Sequence, residues 1–244
     1  MTSNSAREDG AGDTPIRDAA CLILIDRAGP APRMLMGRRL PTQVFLPNKW
    51  VFPGGRVDDD DRALAAMLCN ESGLQRAAQH AGLAAFQSTQ APFALTAIRE
   101  MFEETGLFVG HAADEIVSGL PPAWQAIVDR GLQPDLDGFR TLARAITPPG
   151  LPRRFDTYFF MAEWAAERAP AGSPDGELLD LAWFTVEEAR ALDLAYITRL
   201  IVDDVAIVLD CDVDANLDKV PFYYQDVDVY RRVLVDADSM LFAP

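Results

Sequence analysis

Residues 99–107 read Arg-Glu-Met-Phe-Glu-Glu-Thr-Gly-Leu, and their types and spacing suit the binding of a hard divalent cation. On a helix turning about 100° per residue, with Arg99 at zero, Glu103 falls near 40°, Glu100 near 100° and Glu104 near 140°. Ala97, Met101, Ile98 and Phe102 fill roughly 160° to 300° of the same wheel. One face can enter a core while the other concentrates negative charge, which repels itself unless a cation offsets it. Glu100 and Glu104, one turn apart, are the first-choice ligands for Mg²⁺ or Mn²⁺, with Glu103 close enough to share a second ion. The plainer alternative is an ordinary amphipathic helix whose glutamates are solvated and whose Arg99 pairs with Glu103 four residues on.

The order Arg, Glu, aliphatic, any, Glu, Glu, any, Gly, aliphatic is more demanding than a charged face. It specifies enough positions that chance occurrence in such a chain is on the order of one in a hundred thousand. It resembles the second half of the Nudix box, the signature of the Nudix hydrolases. Upstream, Trp50-Val51-Phe52-Pro53-Gly54-Gly55 resembles the strand and glycine turn that precede the box, and six positions after Gly55 stands Asp61, where the family usually has Glu. Between Asp61 and Arg99 lie 37 residues where the family has only a handful, so the box reads as split by an insertion. A split box resembles the Nudix subgroup of the animal peroxisomal coenzyme A diphosphatases. Phe45-Leu46-Pro47 and Arg154-Phe155-Asp156-Thr157 extend the likeness, which covers residues 19 to 190.

The resemblance implies an α/β fold, a Nudix-type α/β/α sandwich with a mixed sheet and a helical insertion. It implies a metal-dependent hydrolase that cuts a phosphoanhydride in a nucleoside diphosphate linked to another group, with coenzyme A or acyl-coenzyme A favoured. ADP-ribose, NADH and nucleotide sugars are alternatives that use the same catalytic helix. By the same resemblance Arg99 is structural and holds Glu103, the Gly54 carbonyl completes the metal shell, and Gly55 and Gly106 shape the turns at either side. The general base comes from the box or from a later loop, where Glu177 is a candidate beside its plainer role as an exposed acid. Arg38, Arg39, Arg56, Arg153 and Arg154 stand nearest the expected turn and strand ends and are candidates for the substrate's phosphates. A non-catalytic Nudix fold that senses a nucleotide is the reading from another class; the complete acidic triad argues against it.

The elements that must position these residues follow from pattern. Ala19 to Asp26 is an apolar run that suits a buried strand, with Arg33 to Arg39 as its hairpin partner and Trp50 to Phe52 as a third strand. Asp59 to Leu83 fits one or two helices of an insert spanning about residues 59–91. Phe93 to Thr105 is the acidic helix, with Gly106 where a left-handed cap is needed. Trp124 to Ala145 reads as wholly or partly helical. Arg154 to Trp164 and Leu178 to Phe184 read as strands. Thr185 and Glu188 have capping-box spacing at the start of a helix, and Ile197 to Leu209 forms another. Leu64, Met67, Leu68 and Leu74 offer either an apolar lid over the substrate or ordinary core packing. Asp210, Asp212, Asp214, Asn216 and Asp218 alternate as calcium-loop ligands do, but Ala215 and Pro221 occupy the places of the glycine and the last glutamate, so an acidic surface loop is expected.

Bulk properties bound the rest. A chain of 244 residues, 49% hydrophobic, can bury one large core, read here as a single domain over residues 16–244 behind a disordered tail at 1–15. That tail has no apolar block and does not read as a signal peptide, and no apolar run is long enough for a membrane span. A formal charge of −15 argues against nucleic-acid polymers and for a small phosphorylated partner whose charge is met by metal ions and local arginines. Cys21, Cys69 and Cys211 are scattered, which suits a reducing cytoplasm, and His80 and His111 are too few for a histidine metal site. A homodimer is left open.

Overall fold

The computed structural model describes residues 14–70, 90–112, 118–136, 138–164, 176–210, 219–226 and 229–236. The expected tail up to residue 13, the second part of the insert (71–89, with Leu74 and His80) and most of the acidic loop (211–218, with Cys211) lie outside the described residues.

The elements run β1 (Ile16–Asp26), β2 (Arg33–Arg39), β3 (Trp50–Val51), β4 (Gly54–Arg56), α1 (Asp59–Asn70), α2 (Ala91–Thr105), β5 (Gly110–Ala112), α3 (Pro122–Val128), β6 (Leu132–Pro134), β7 (Arg140–Ile146), β8 (Arg154–Glu163), β9 (Leu178–Phe184), α4 (Val186–Arg190), α5 (Tyr196–Asp210), β10 (Lys219–Asp226) and β11 (Val229–Asp236). The main sheet has the order β11-β10-β7-β8-β1-β2-β3, with β4 also pairing β1 and β9 also pairing β2. It is mixed: β1 runs parallel to β8 and β10 parallel to β7, and the other pairs are antiparallel.

The apolar run of β1 is continuous because both of its faces are covered. Ala20, Leu22 and Leu24 point to a core shared with α1, α2 and α3. Ile23 and Ile25 point to a second core shared with α4 and α5. All five are fully buried. This is the expected α/β/α sandwich. Two halves of β1 serve different partners, Ala19–Cys21 bonding β4 and Ile25–Asp26 bonding β2, so the glycine turn ahead of β4 lies directly on the central strand.

The stretch from Trp124 to Ala145 is helical only in part. Among its described residues the helix ends with Pro122–Val128, and the chain then passes through Gly131, at φ 74°, into two strands. Leu142 to Ala145 are buried in succession because β7 lies inside the sheet between β8 and β10. A strand covered on both faces loses the two-residue alternation, and its Ala, Leu and Arg content then resembles a helix. Strands β10 and β11 are further elements that the sequence pattern does not mark. They are joined to α5 by Asp204, which accepts from the Tyr223 hydroxyl at 2.6 Å and from Arg232 at 3.0 Å.

The local signals elsewhere hold. Gly106 takes the left-handed conformation at φ 75° and donates to the Phe102 carbonyl, ending α2. Thr185 and Glu188 form both bonds of a capping box at α4. Leu64 and Leu68 are buried in the α2-side core, which settles them as packing residues. Among the described residues no helix is long and apolar enough to cross a membrane.

Because β1 is the spine of both cores, Leu24→Ala should cost about 2–5 kcal/mol, the usual cost of truncating a fully buried leucine. Urea denaturation should show a lower midpoint with an unchanged slope.

Candidate metal centre and substrate cleft

The site is organised by one buried cation. Arg99, 3% exposed, donates from Nε and Nη2 to Asp61 at 3.0 and 2.8 Å, and from Nη1 to Glu100 at 2.8 Å and Glu103 at 3.0 Å. Its Nη2 also donates to the Arg56 carbonyl. Burial works against the charge, but the bonds to Asp61 and the fields of Glu100, Asp61 and Glu103 outweigh it and hold Arg99 above its ordinary pKa. Asp61 is completely buried and sits in the first turn of α1. It also accepts from the Trp124 indole at 2.9 Å, the Thr96 hydroxyl at 2.7 Å and the Asp58 amide at 3.1 Å. A buried carboxylate with this many donors is satisfied, which an isolated one would not be.

The glycine turn comes against the acidic face from the other side. Gly54 donates its amide to Glu104 Oε2 at 2.9 Å, and Glu104 itself is buried. A β-carbon on Gly54 would lie 2.3 Å from the Ala20 carbonyl oxygen, and one on Gly55 would lie 2.4–2.5 Å from the Glu100 carboxylate. Only glycine lets the turn lie this close to β1 at position 54 and to Glu100 at position 55. Burial pushes the Glu100 carboxyl up to about 7; the Arg99 charge and hydrogen bond oppose that, while Glu103 and Asp61 add to it.

Glu100 and Glu104 line a cleft of about 750 Å³. Gly54, Gly55, Arg39, Arg56, Arg153 and Glu177 line it as well. Several expected residues stand elsewhere. Glu103 is drawn to Arg99, its side chain 44% exposed, and does not line the cleft. Arg38 pairs with Asp180, and the buried Arg154 donates to the Thr147 carbonyl; neither lines the cleft. Arg39 at the end of β2 and Arg153 in the loop segment 151–153, which lines the cleft ahead of β8, reach it, whereas Arg38 is held by Asp180 and Arg154 by the Thr147 carbonyl. Arg39 is partly desolvated, which lowers its pKa, while Glu104 and Glu177 support its charge and Arg153 opposes it. Its Nε holds the Phe45 carbonyl at 3.0 Å, fixing a loop in which Leu46 and Asn48 have φ of 52° and 61°.

Sequence reasoning missed Trp124 and Thr96 as supports of Asp61, and Cys21 and Tyr196 in the cleft wall. No local pattern marks them, since each arrives from an element packed on the site. Burial, with Glu104 adding to it, pushes the Cys21 thiol up to about 12, so it is protonated at neutral pH and is no nucleophile.

Among the described residues no three His, Cys, Asp or Glu side chains converge as a ready-made metal cage. The donor set still fits Mg²⁺ or Mn²⁺. Such ions keep several waters and take one or two carboxylates plus substrate phosphates, and Glu100 and Glu104 beside a glycine backbone supply that.

No family model matches the chain. A curated relative, putative nudix hydrolase 7 of Caenorhabditis elegans, is 29% identical over 59% of this chain and 43% of its own length. The chain therefore spans less than half of that relative. The crystal structure of a Nudix hydrolase from Alicyclobacillus acidocaldarius is 28% identical, with a TM-score of 0.58, and the match covers 81% of this chain and 97% of that one.

The raised Glu100 pKa has a signed consequence for stability. A carboxyl whose folded pKa lies above its ordinary 4.5 favours folding when protonated, so its contribution falls as pH rises from 4.5 through about 7. In metal-free protein, Glu100→Gln should raise the urea midpoint at pH 8 by the equivalent of about 1–3 kcal/mol, and the difference from wild type should narrow towards pH 5. Equal midpoints at pH 8 would contradict the desolvation of Glu100.

Proposed function

We propose that this chain, which belongs to the Nudix hydrolase superfamily, is a divalent-metal-dependent diphosphatase of nucleoside diphosphates linked to a second group, with coenzyme A or acyl-coenzyme A as the favoured substrate. The observation that carries the reading is the meeting of Glu100 and Glu104 with the glycine turn in a cleft that Arg39, Arg56 and Arg153 also line. One cleft thereby holds both carboxylates that could take a cation and guanidinium groups that could meet phosphate oxygens.

Glu100, Glu104 and the Gly54 carbonyl would hold Mg²⁺ or Mn²⁺, with Glu103 a further donor for a second ion. When bound, the metal neutralises charge on the diphosphate oxygens and brings the pKa of a coordinated water towards neutrality. The chain's own residues do the remainder. Arg99 holds the glutamates at their angle, and Arg39 and Arg153 face the cleft from separate segments and would orient the phosphates. Glu177 lines the same cleft and is the base we favour for the proton of the attacking water, with Glu100 as the alternative within the box.

Coenzyme A is favoured over ADP-ribose, NADH and nucleotide sugars through the split box. Support for the split comes from Asp61, which is bonded to Arg99 although 38 positions separate them. The two parts of the motif thus meet although they are far apart in the chain. A cytoplasmic site of action and a homodimer belong to the same proposal.

Incubation with a panel of these diphosphates and Mg²⁺ or Mn²⁺, with products resolved by mass, should give paired phosphomonoester products from coenzyme A. Tight binding of a panel member with no turnover would favour the sensor instead. Glu104→Gln and Glu100→Gln should each lower kcat by roughly a hundredfold or more with the dichroism spectrum retained. Glu177→Gln should lower kcat and leave metal affinity unchanged; wild-type turnover would move the base to Glu100.

A further inference from the structure

Asp61 is reached by two helices that are remote in sequence, α2 and α3, and the most distant contributor is a tryptophan. Its Oδ1 accepts from Arg99 Nε at 3.0 Å and from Trp124 Nε1 at 2.9 Å, and its Oδ2 from Arg99 Nη2 at 2.8 Å, the Thr96 hydroxyl at 2.7 Å and the Asp58 amide at 3.1 Å. Trp124 is 1% exposed, and its only polar side-chain atom is a donor. The Thr96 hydroxyl also lies 2.8 Å from the Pro92 carbonyl, and with one proton it can serve only one acceptor at a time, so Trp124 is the more committed partner. The same helix end is tied to α1 a second time, by the Ala123 amide donating to Asp60 at 2.9 Å.

We propose that Trp124 is a positioning residue of the metal-binding face, acting through Asp61 on Arg99 and through Arg99 on Glu100. This rests on the reading of Glu100 as a metal ligand. If the indole only filled space, phenylalanine would serve as well. Without its N–H, Oδ1 keeps Arg99 as its donor while Oδ2 keeps three, and the carboxylate, held unevenly in a site sealed from water, can turn part-way about its bond to Cβ. Rotation would move both ends of the bidentate contact with Arg99. Because the opposite nitrogen of Arg99 holds Glu100 and Glu103, the metal-facing carboxylates would follow.

The test is Trp124→Phe with two readouts: Mn²⁺ affinity from the electron paramagnetic resonance of free ion, and hydrogen exchange of the Arg99 Nε–H in metal-free protein by NMR. Val205→Ala, a truncation in the other core, serves as the control for general destabilisation. Expected are Mn²⁺ binding about 3–10-fold weaker, one shell further out than substitutions costing 10–100-fold, and faster Nε–H exchange. The control should change neither. Trp124→Phe behaving like the control would overturn the inference. If Mn²⁺ binds wild type and Glu100→Gln equally, the metal assignment itself fails, and the inference with it. Where Trp124→Phe does not fold, Thr96→Val removes another donor of Asp61: weaker Mn²⁺ binding with faster Nε–H exchange would support the inference, and wild-type values of both would overturn it.

Discussion

The buried guanidinium of Arg99 is the constraint on which the site depends. A cation with almost no exposure must find its counter-charges inside the protein, and Arg99 finds Asp61, Glu100 and Glu103 at once. That requirement sets how α1, α2 and the strand before them can pack, since Asp61 belongs to one helix, the glutamates to another and the Arg56 carbonyl to β4. Removing any one partner would leave a charge without its complement in a medium that cannot solvate it. The same requirement fixes Glu100 and Glu103 relative to α1.

The glycine turn imposes a second constraint from the opposite side. Central strand β1 supplies its outer half to β4, so the turn lies on the floor of the sheet rather than in a solvent loop. Gly54 and Gly55 can then press against Glu104 and Glu100 with no side chain between. The cost is desolvation of Glu100, visible in its raised pKa, and a divalent cation would relieve it.

The two cores divide the work. The α2-side core holds the acidic helix and its supports, and the opposite core, under α4 and α5, carries one wall of the cleft. Because β1 feeds both, the positions of the acidic face and of the cleft wall are coupled through a single strand whose Leu22, Ile23, Leu24 and Ile25 are fully buried.

What the sequence by itself determined is everything that local spacing controls. The angular positions of Arg99, Glu100, Glu103 and Glu104 follow from the helical repeat, the end of α2 from Gly106, the capping box from Thr185 and Glu188, and the β1–β2 hairpin from two apolar runs about a Gly-Pro break. Tertiary structure decided which of those side chains face the cleft. Glu100 and Glu104 line it and Glu103 does not, because Arg99 and the glycine turn compete for the acids from different sides. Arg39 and Arg153 enter it while Arg38 and Arg154 do not, because the latter two are drawn to Asp180 and to the Thr147 carbonyl, partners that only the folded sheet brings near. The strand β7 hid behind helix-like composition until pairing with β8 and β10 covered both its faces. Trp124, 63 positions from Asp61, could not be found at all from spacing, since a hydrogen bond between remote segments exists only once the chain has folded.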